Sequence, residues 1–448
     1  MKVIIFGAGK TGQYLTRVMT IEGHEVTVIE TDSAVCSKLN SLYDISIIES
    51  DGIKKDVFNE ETFDSCDLFI AVTSLDELNI MACSVAKKLG AGLTVARIRN
   101  EDYGKMDDVV ALQSLGVDLV IHPEKEISKE LLNLVSLPNA TDVYELYGGK
   151  ILIVSTIVKA NSNIIGKSLK EISKIYDLSA LRAVVVEKGP DAIIPRGDYI
   201  VKEDDKIYAI AEKENVDTVF KIAGCTEEKN KDIMINGSGK IARTIAQELE
   251  KRGNLDIKII VSDKDKANYF SEILPNSLVV HGEATDVDIL AAEGIMDMDF
   301  FLALTDNDES NMVASLLANH LKVKKTITLI EKTDYFPITK TIGLQRCINS
   351  SIATSNAIMR FVRHGNVQAS STLKGIDIEA ITFKVSPENR YIDRPLRNVK
   401  FPQNTIIGVI VRDGRIFVPS GENKIIPGDE IVVFSEKSSI ISVEKMFA

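Results

Sequence analysis

The phrase KVIIFGAGKTGQYL at residues 2–15 returns 230 positions later as DIMINGSGKIARTI at residues 232–245. Gly7 and Gly9 recur as Gly237 and Gly239, and Ala242 stands in the place of Gly12. Farther along, CDLFIAVTSLDELNIMACSVAKKLG (66–90) parallels MDFFLALTDNDESNMVASLLANHLK (298–322). There Thr73, Asp76, Glu77 and Asn79 pair with Thr305, Asp308, Glu309 and Asn311. One tandem duplication of about 230 residues accounts for both matches, a unit of domain scale and too long for a solenoid repeat. The duplication limits the fold, because whatever one copy forms the other must form as well. Length alone, at about 150 residues per domain, suggests roughly three domains. The repeat replaces that estimate with two copies of a two-part unit.

In the first copy, strand-like runs at 3–6, 26–29, 45–48, 67–72, 93–97 and 117–121 alternate with helical patterns. Such alternation implies a parallel sheet covered on both faces. Residues 150–212 and 376–436 then carry short β-rich runs around Gly and Asp turns. Each set includes a helix-like opening, Gly166-Lys167-Ser168-Leu169 in the first and Asp393-Arg394-Pro395-Leu396 in the second. The expected fold is α/β: two Rossmann-like, doubly wound parallel-sheet domains, each followed by a small α+β domain. The boundaries read as 1–122, 142–225, 230–348 and 369–448, with connector helices at 123–141 and 349–368. The first connector places Ile127, Leu131, Leu134 and Val135 at helical spacing. Such an apolar face packs either on its own domain or along a seam with an equivalent copy or chain.

The glycine turn carries the chemistry. A β-branched run ends in Gly7-Ala8-Gly9-Lys10-Thr11-Gly12, a helical segment follows, and the next apolar run closes on Glu30. A GxGxxG match gains meaning in this strand, turn, helix, strand context with an acid about 20 residues on. Gly7 permits the tight turn, Gly9 lets a pyrophosphate approach the backbone, and Gly12 lets the helix pack close. Free N–H groups at the helix start bind phosphate, and Lys10 and Thr11 lie within reach of its oxygens. Glu30 accepts ribose hydroxyls and repels a 2′-phosphate, favouring NAD(H) or an adenosine nucleotide over NADP(H). Thr73 and Ser74 follow the fourth strand at its carboxyl end, and Arg97, which neutralises phosphate charge, ends the fifth. In the second copy Gly237, Ser238, Gly239, Lys240 and Ile241 preserve the turn, and Thr305 matches Thr73. Val261, however, replaces Glu30, and Leu329 replaces Arg97. Asp263 pairs with Asp32, two positions too far along to replace Glu30. The second site is expected to bind nucleotide weakly, to bind a different nucleotide or to be empty.

Composition narrows the classes. Lys plus Arg is 53 against 65 for Asp plus Glu, a formal charge of −12, which disfavours nucleic acid as a partner. The five cysteines and five histidines are scattered, so the sequence predicts no metal site. No apolar run approaches the ~20 residues of a spanning helix. The opening MKVIIFGAGK lacks a signal-peptide h-region, so a cytoplasmic protein is expected. A dehydrogenase needs a proton relay or a metal beside the nicotinamide. No catalytic residues stand out, which shifts weight from an NAD-dependent oxidoreductase toward a ligand-controlled module, either a stand-alone sensor or a regulator.

GAGKTGQYL, VIETD, DLFIAVTSLDELNIMAC and ARIRNEDY resemble the nucleotide-binding RCK (KTN) domain, and the module ending DEIVVF resembles the RCK C-terminal domain. The tandem arrangement is similar to the TrkA-type regulatory subunits of Trk potassium uptake systems, over essentially the whole chain. The resemblance implies a non-enzymatic protein, peripheral to the inner face of the cell membrane. It would be a homo-oligomer, a dimer or a tetramer ring, under a separate potassium-translocating subunit of TrkH/TrkG type. It implies NAD(H) at the first site, with ATP or ADP open as alternatives. Gly7 through Thr11, Glu30, Thr73, Ser74 and Arg97 match the family's first site, and Gly237 through Ile241 with Thr305 match its second. Val261 and Leu329 depart from the pattern.

Overall fold

In this computed structural model the described residues are 1–100, 103, 112–188, 191–226, 231–362, 367–373 and 376–447. Glu101 and Asp102 of the NEDY segment, His364 and the boundary at Asn230 lie outside them. The chain forms two compact units. The first comprises Met1–Lys129, Glu331–Thr333 and Ile348–Val362, and the second comprises Glu130–Ile330, Asp334–Cys347 and Arg363–Ala448.

The first unit is built on strands β1 (Lys2–Phe6), β2 (Glu25–Glu30), β3 (Ser46–Glu49), β4 (Leu68–Ala71), β5 (Leu93–Arg97) and β6 (Leu119–Ile121). Helices α1 (Lys10–Ile21), α2 (Ser33–Leu42), α3 (Glu60–Phe63) and α4 (Asp76–Lys88) connect them, and α5 (Pro123–Ser136) follows β6. The parallel order β3-β2-β1-β4-β5-β6 is that of a doubly wound dinucleotide fold, with its switch point between β1 and β4. Alternation along β1 sorts the core. Val3 and Ile5 face Leu15, Val28 and Ile70, while Ile4 and Phe6 face the aromatic cluster Phe58, Phe63 and Phe69. Phe6 meets Phe58 edge-on with ring centroids 5.6 Å apart.

The second unit opens on a small domain: β7 (Asp142–Leu146), β8 (Ile151–Ile157), α6 (Leu169–Ile175), β9 (Leu181–Lys188), β10 (Asp191–Ile193), β11 (Lys206–Glu212) and α7 (Val216–Ile222). The second Rossmann sheet follows as β12 (Asp232–Asn236), β13 (Asp256–Val261), β14 (Leu278–His281), β15 (Phe300–Ala303), β16 (Lys325–Leu329) and β17 (Cys347–Ile348). Its order, β14-β13-β12-β15-β16-β17, repeats the first. Its helices are α8 (Lys240–Arg252), α9 (Lys264–Ile273), α10 (Val287–Ala292), α11 (Asp308–His320) and α12 (Phe336–Thr341), and α13 (Ser350–Val362) leaves β17. The last domain holds β18 (Val367–Thr372), β19 (Ile378–Lys384), β20 (Thr405–Arg412), β21 (Arg415–Phe417), β22 (Glu430–Glu436) and α14 (Ile440–Phe447).

The two small antiparallel sheets share one core, in which Ile153, Val184 and Ile210 pack with Ile378, Val409 and Phe434. Arg182 fastens the pair by donating to the carbonyls of Ile407, at 2.7 Å, and Pro419. The helix-like openings come out differently in the two copies. Ser168 and Glu171 form a reciprocal capping box that starts α6. Their counterparts are Pro395 and Asn398, and without that cap the second copy forms only a 3-10 turn, Leu396–Asn398. Among the described residues no helix is long and apolar enough to cross a membrane.

The second connector, helix α13, packs on the first copy. It springs from the second copy, yet Ala357, Ile358 and Met359 are buried in the first copy's core beside Leu15, Val18 and Met19. The first Rossmann domain is therefore completed by a helix encoded some 230 residues later. Ile358→Ala is expected to destabilise the full chain by about 2–5 kcal/mol, the cost of a buried truncation. Urea unfolding measures this, and an unchanged midpoint would remove α13 from the core.

Candidate nucleotide site

Register alignment brings the candidate residues to one end of the first sheet. Phe6 pairs with Ile29 and with Ala71, and Ala71 pairs with Ala96. The residues that follow, Gly7, Glu30, Thr73 and Arg97, thus gather at the carboxyl edge, where open α/β sheets take ligands. Gly7 adopts φ +95°, and a Cβ there would meet Thr73 at 2.9 Å. A Cβ on Gly12 would lie 2.0 Å from the Gly7 carbonyl oxygen, so helix α1 can start this close only without a side chain. Gly9 is open, with nothing within 4 Å of a Cβ placed on it. It precedes α1 without supplying a side-chain cap, and no acid stands in the first turn. The positive end of the helix is left for an exogenous anion.

Glu30 organises the turn. One carboxylate oxygen accepts from the Ala8 N–H at 2.5 Å, and the other accepts from Thr31 N–H at 2.7 Å and Asp32 N–H at 3.0 Å. A carboxylate offers about four lone-pair sites, so acceptor capacity remains for a ribose hydroxyl. Asp32 is otherwise employed, capping α2 through Ala34 N–H at 2.8 Å.

The hydroxyls of both threonines are engaged within the protein. The Thr73 hydroxyl donates to Asn79 Oδ1 at 2.7 Å, and the Thr73 N–H donates to the same oxygen at 3.0 Å. Asn79, fully buried, returns its amide N–H groups to the carbonyls of Thr73, at 3.2 Å, and Arg97, at 2.8 Å. Asn79 is thus a latch that ties the ends of β4 and β5 together. Thr11 is buried, and its hydroxyl donates to Ser351 Oγ of α13 at 3.2 Å. Lys10 and Ser74 are exposed at the rim.

Arg97 points back under the turn, with one terminal nitrogen 3.5 Å from the Thr73 carbonyl. Its Nε is buried with no partner among the described residues. Burial, and then Arg99 nearby, pull the guanidinium below its ordinary value, while Glu124, Asp76 and Glu331 oppose them. An unsatisfied buried donor of this kind suits an incoming phosphate. Open Gly9, the uncapped helix, Glu30 and Arg97 together fit an adenine dinucleotide or nucleotide. Sequence reasoning missed Ser351, which reaches Thr11 from the other copy. Its only signal was the apolar connector helix.

The TrkA-N domain model matches residues 3–123 and 233–350, and the TrkA-C domain model matches residues 153–224 and 380–448. The chain belongs to the TrkA family. Trk system potassium uptake protein TrkA homolog 1 of Methanosarcina mazei is 31% identical over 455 residues, covering 100% of both chains. Trk system potassium uptake protein TrkA of Haemophilus influenzae is 28% identical over 454 residues, covering 100% of this chain and 98% of its own. Among solved structures, the GsuK channel bound to NAD shares the fold with a TM-score of 0.60 at 16% identity. That match covers 100% of this chain and 78% of the other.

The tandem TrkA-N units of the chain share their latch bond for bond. Thr305 donates to Asn311 Oδ1 at 2.6 Å, and Asn311 donates to the carbonyls of Thr305, at 2.9 Å, and Leu329, at 3.0 Å. The residues around it differ. Val261 and Leu329 are buried apolar side chains where Glu30 and Arg97 stand. Asp263 caps α9 through Lys266 N–H at 2.9 Å and leaves the Glu30 position unfilled. Gly237, Ser238, Gly239, Lys240 and Ile241 keep the strand-to-helix turn, and Gly239 likewise provides no side-chain cap. Asn79→Ala and Asn311→Ala are each expected to cost about 1–3 kcal/mol, since each strands two buried carbonyls. Thermal unfolding would show the loss, and similar shifts for both would confirm equivalent latches.

Proposed function

We propose that this chain is a cytoplasmic, non-enzymatic regulatory subunit of a Trk-type potassium uptake system, working on a separate membrane subunit of TrkH/TrkG type. The tandem TrkA domains and the full-length similarity to proteins named for Trk potassium uptake support the class. The observation that carries the ligand is the first glycine turn, where the uncapped N-terminus of α1 faces outward while Glu30 grips the turn by the Ala8 N–H. The pyrophosphate lies against Gly7 through Gly12, a ribose hydroxyl bonds to Glu30, and Arg97, Thr73 and Ser74 border the phosphates. A carboxylate at the ribose position favours NAD(H), ATP or ADP over a 2′-phosphorylated dinucleotide. Several copies assemble into a ring. A nucleotide that binds two ring shapes with different affinity shifts their balance, and that shift is what the membrane partner senses.

Titration of the purified chain with NADH, NAD, ATP and ADP tests the site. Glu30→Ala is expected to weaken binding at least tenfold, about 1.4 kcal/mol, and Arg97→Ala to weaken ATP and ADP more than NAD. Failure of all four ligands to bind, or unchanged affinity in Glu30→Ala, would sink the assignment. For the potassium role, co-purification with a membrane potassium transporter and lowered uptake in a deletion strain are expected. Normal uptake in a strain lacking any paralogue would refute it.

A further inference from the structure

We infer that the second glycine turn is closed to phosphorylated nucleotides, because the Asp306 carboxylate stands over the place a pyrophosphate takes in the first turn. Each chain then carries one nucleotide site and one Rossmann domain that does not respond to ligand. This inference rests on the proposal that the first turn is the nucleotide site.

The contrast lies at corresponding glycines. A Cβ built on Gly9 meets nothing within 4 Å, whereas one built on Gly239 meets Asp306 Oδ1 at 3.5 Å and Oδ2 at 3.9 Å. Asp306 follows Thr305 as Ser74 follows Thr73, so a neutral hydroxyl in one copy becomes an anion in the other. The glycine exists to let phosphate approach the backbone. A carboxylate beside that path repels phosphate and takes the field of the α8 N-terminus for itself.

The turn is kept but differs in detail. No methyl fits at Gly12, where it would lie 2.0 Å from the Gly7 carbonyl oxygen, yet Ala242 at the same position is completely buried. The backbone has made room for it. Gly237 adopts φ +140° where Gly7 adopts +95°. The two turns therefore differ in backbone conformation at their first glycine. Buried Val261 adds to the closure, because no carboxylate draws in the Ser238 N–H as Glu30 draws in that of Ala8. The latch of Thr305 and Asn311 survives intact, so the second copy retains its scaffold and has lost the ligand chemistry.

Equilibrium dialysis of the full chain with ATP and with NADH tests this. The unaltered chain is expected to bind one nucleotide per chain. With the first turn closed by Gly12→Ala and Glu30→Ala, saturable binding is expected to vanish. Adding Asp306→Ser, Ala242→Gly and Val261→Glu to that closed chain is expected to restore one nucleotide per chain. The inference is overturned if the closed chain still binds one nucleotide per chain, or if the reopened chain is folded by circular dichroism and binds none. Binding by the reopened chain with none by the unaltered chain would sustain the inference while defeating the reading of the first turn. Should the reopened chain fail to fold, Ser74→Asp decides, since that position is exposed. It is expected to weaken binding at the first turn at least about tenfold, and an unchanged affinity would overturn the role given to Asp306.

Discussion

The first Rossmann domain depends on a helix that arrives from the other copy. Ile358 is fully buried among Leu15, Val18 and Met19, and nearly every described side chain of α13 is withdrawn from solvent. Burial on that scale is the main favourable term available to a domain of this size. The first copy cannot close one face of its sheet without the second, so the duplication is structural as well as historical. The exchange also carries chemistry, because Ser351 enters with α13 and takes the Thr11 hydroxyl.

The same economy of polar groups runs through the site. Asn79 satisfies the N–H and carbonyl of Thr73 and the carbonyl of Arg97. Glu30 satisfies the N–H groups of Ala8, Thr31 and Asp32. Once these bonds are made, the strand ends are fixed, and the groups left over are those that suit an anion: the first turn of α1 and the buried Nε of Arg97. The second copy repeats the scaffold half of this arrangement and the uncapped helix start, without the two charged side chains. Asn311 holds the strand ends as Asn79 does, while Leu329 and Val261 place hydrocarbon where the first copy has Arg97 and Glu30.

Much of this was legible in the residues. The unbroken apolar run VIIF ahead of the glycine turn marks a buried strand, and the offset between Gly7 and Gly237 marks the repeat. The strand, turn, helix, acid sequence marks the sheet end where the glycine turn meets Glu30. Asn79 was legible only as a repeated residue paired with Asn311, and its bonds to Thr73 and Arg97 were not. Less was legible where side chains had several possible partners. Thr11 and Thr73 sit where phosphate contacts belong, and only the packed structure shows their hydroxyls already spent on Ser351 and Asn79. Asp393 to Leu396 looked helical by analogy, but Pro395 and Asn398 cannot make the cap that Ser168 and Glu171 make.

By itself, then, the sequence determined the repeat, the strand order class and the position of the glycine turn. These rest on local periodicity and on the special conformations of glycine, which act within a few residues. Tertiary structure decided which domain α13 completes, which hydroxyls remain free, and that Asp306 stands beside Gly239. Those outcomes depend on distances between residues far apart in the chain. A side chain's hydrogen bond or repulsion is settled by whichever group folding brings within about 3–4 Å, and local pattern carries no record of that.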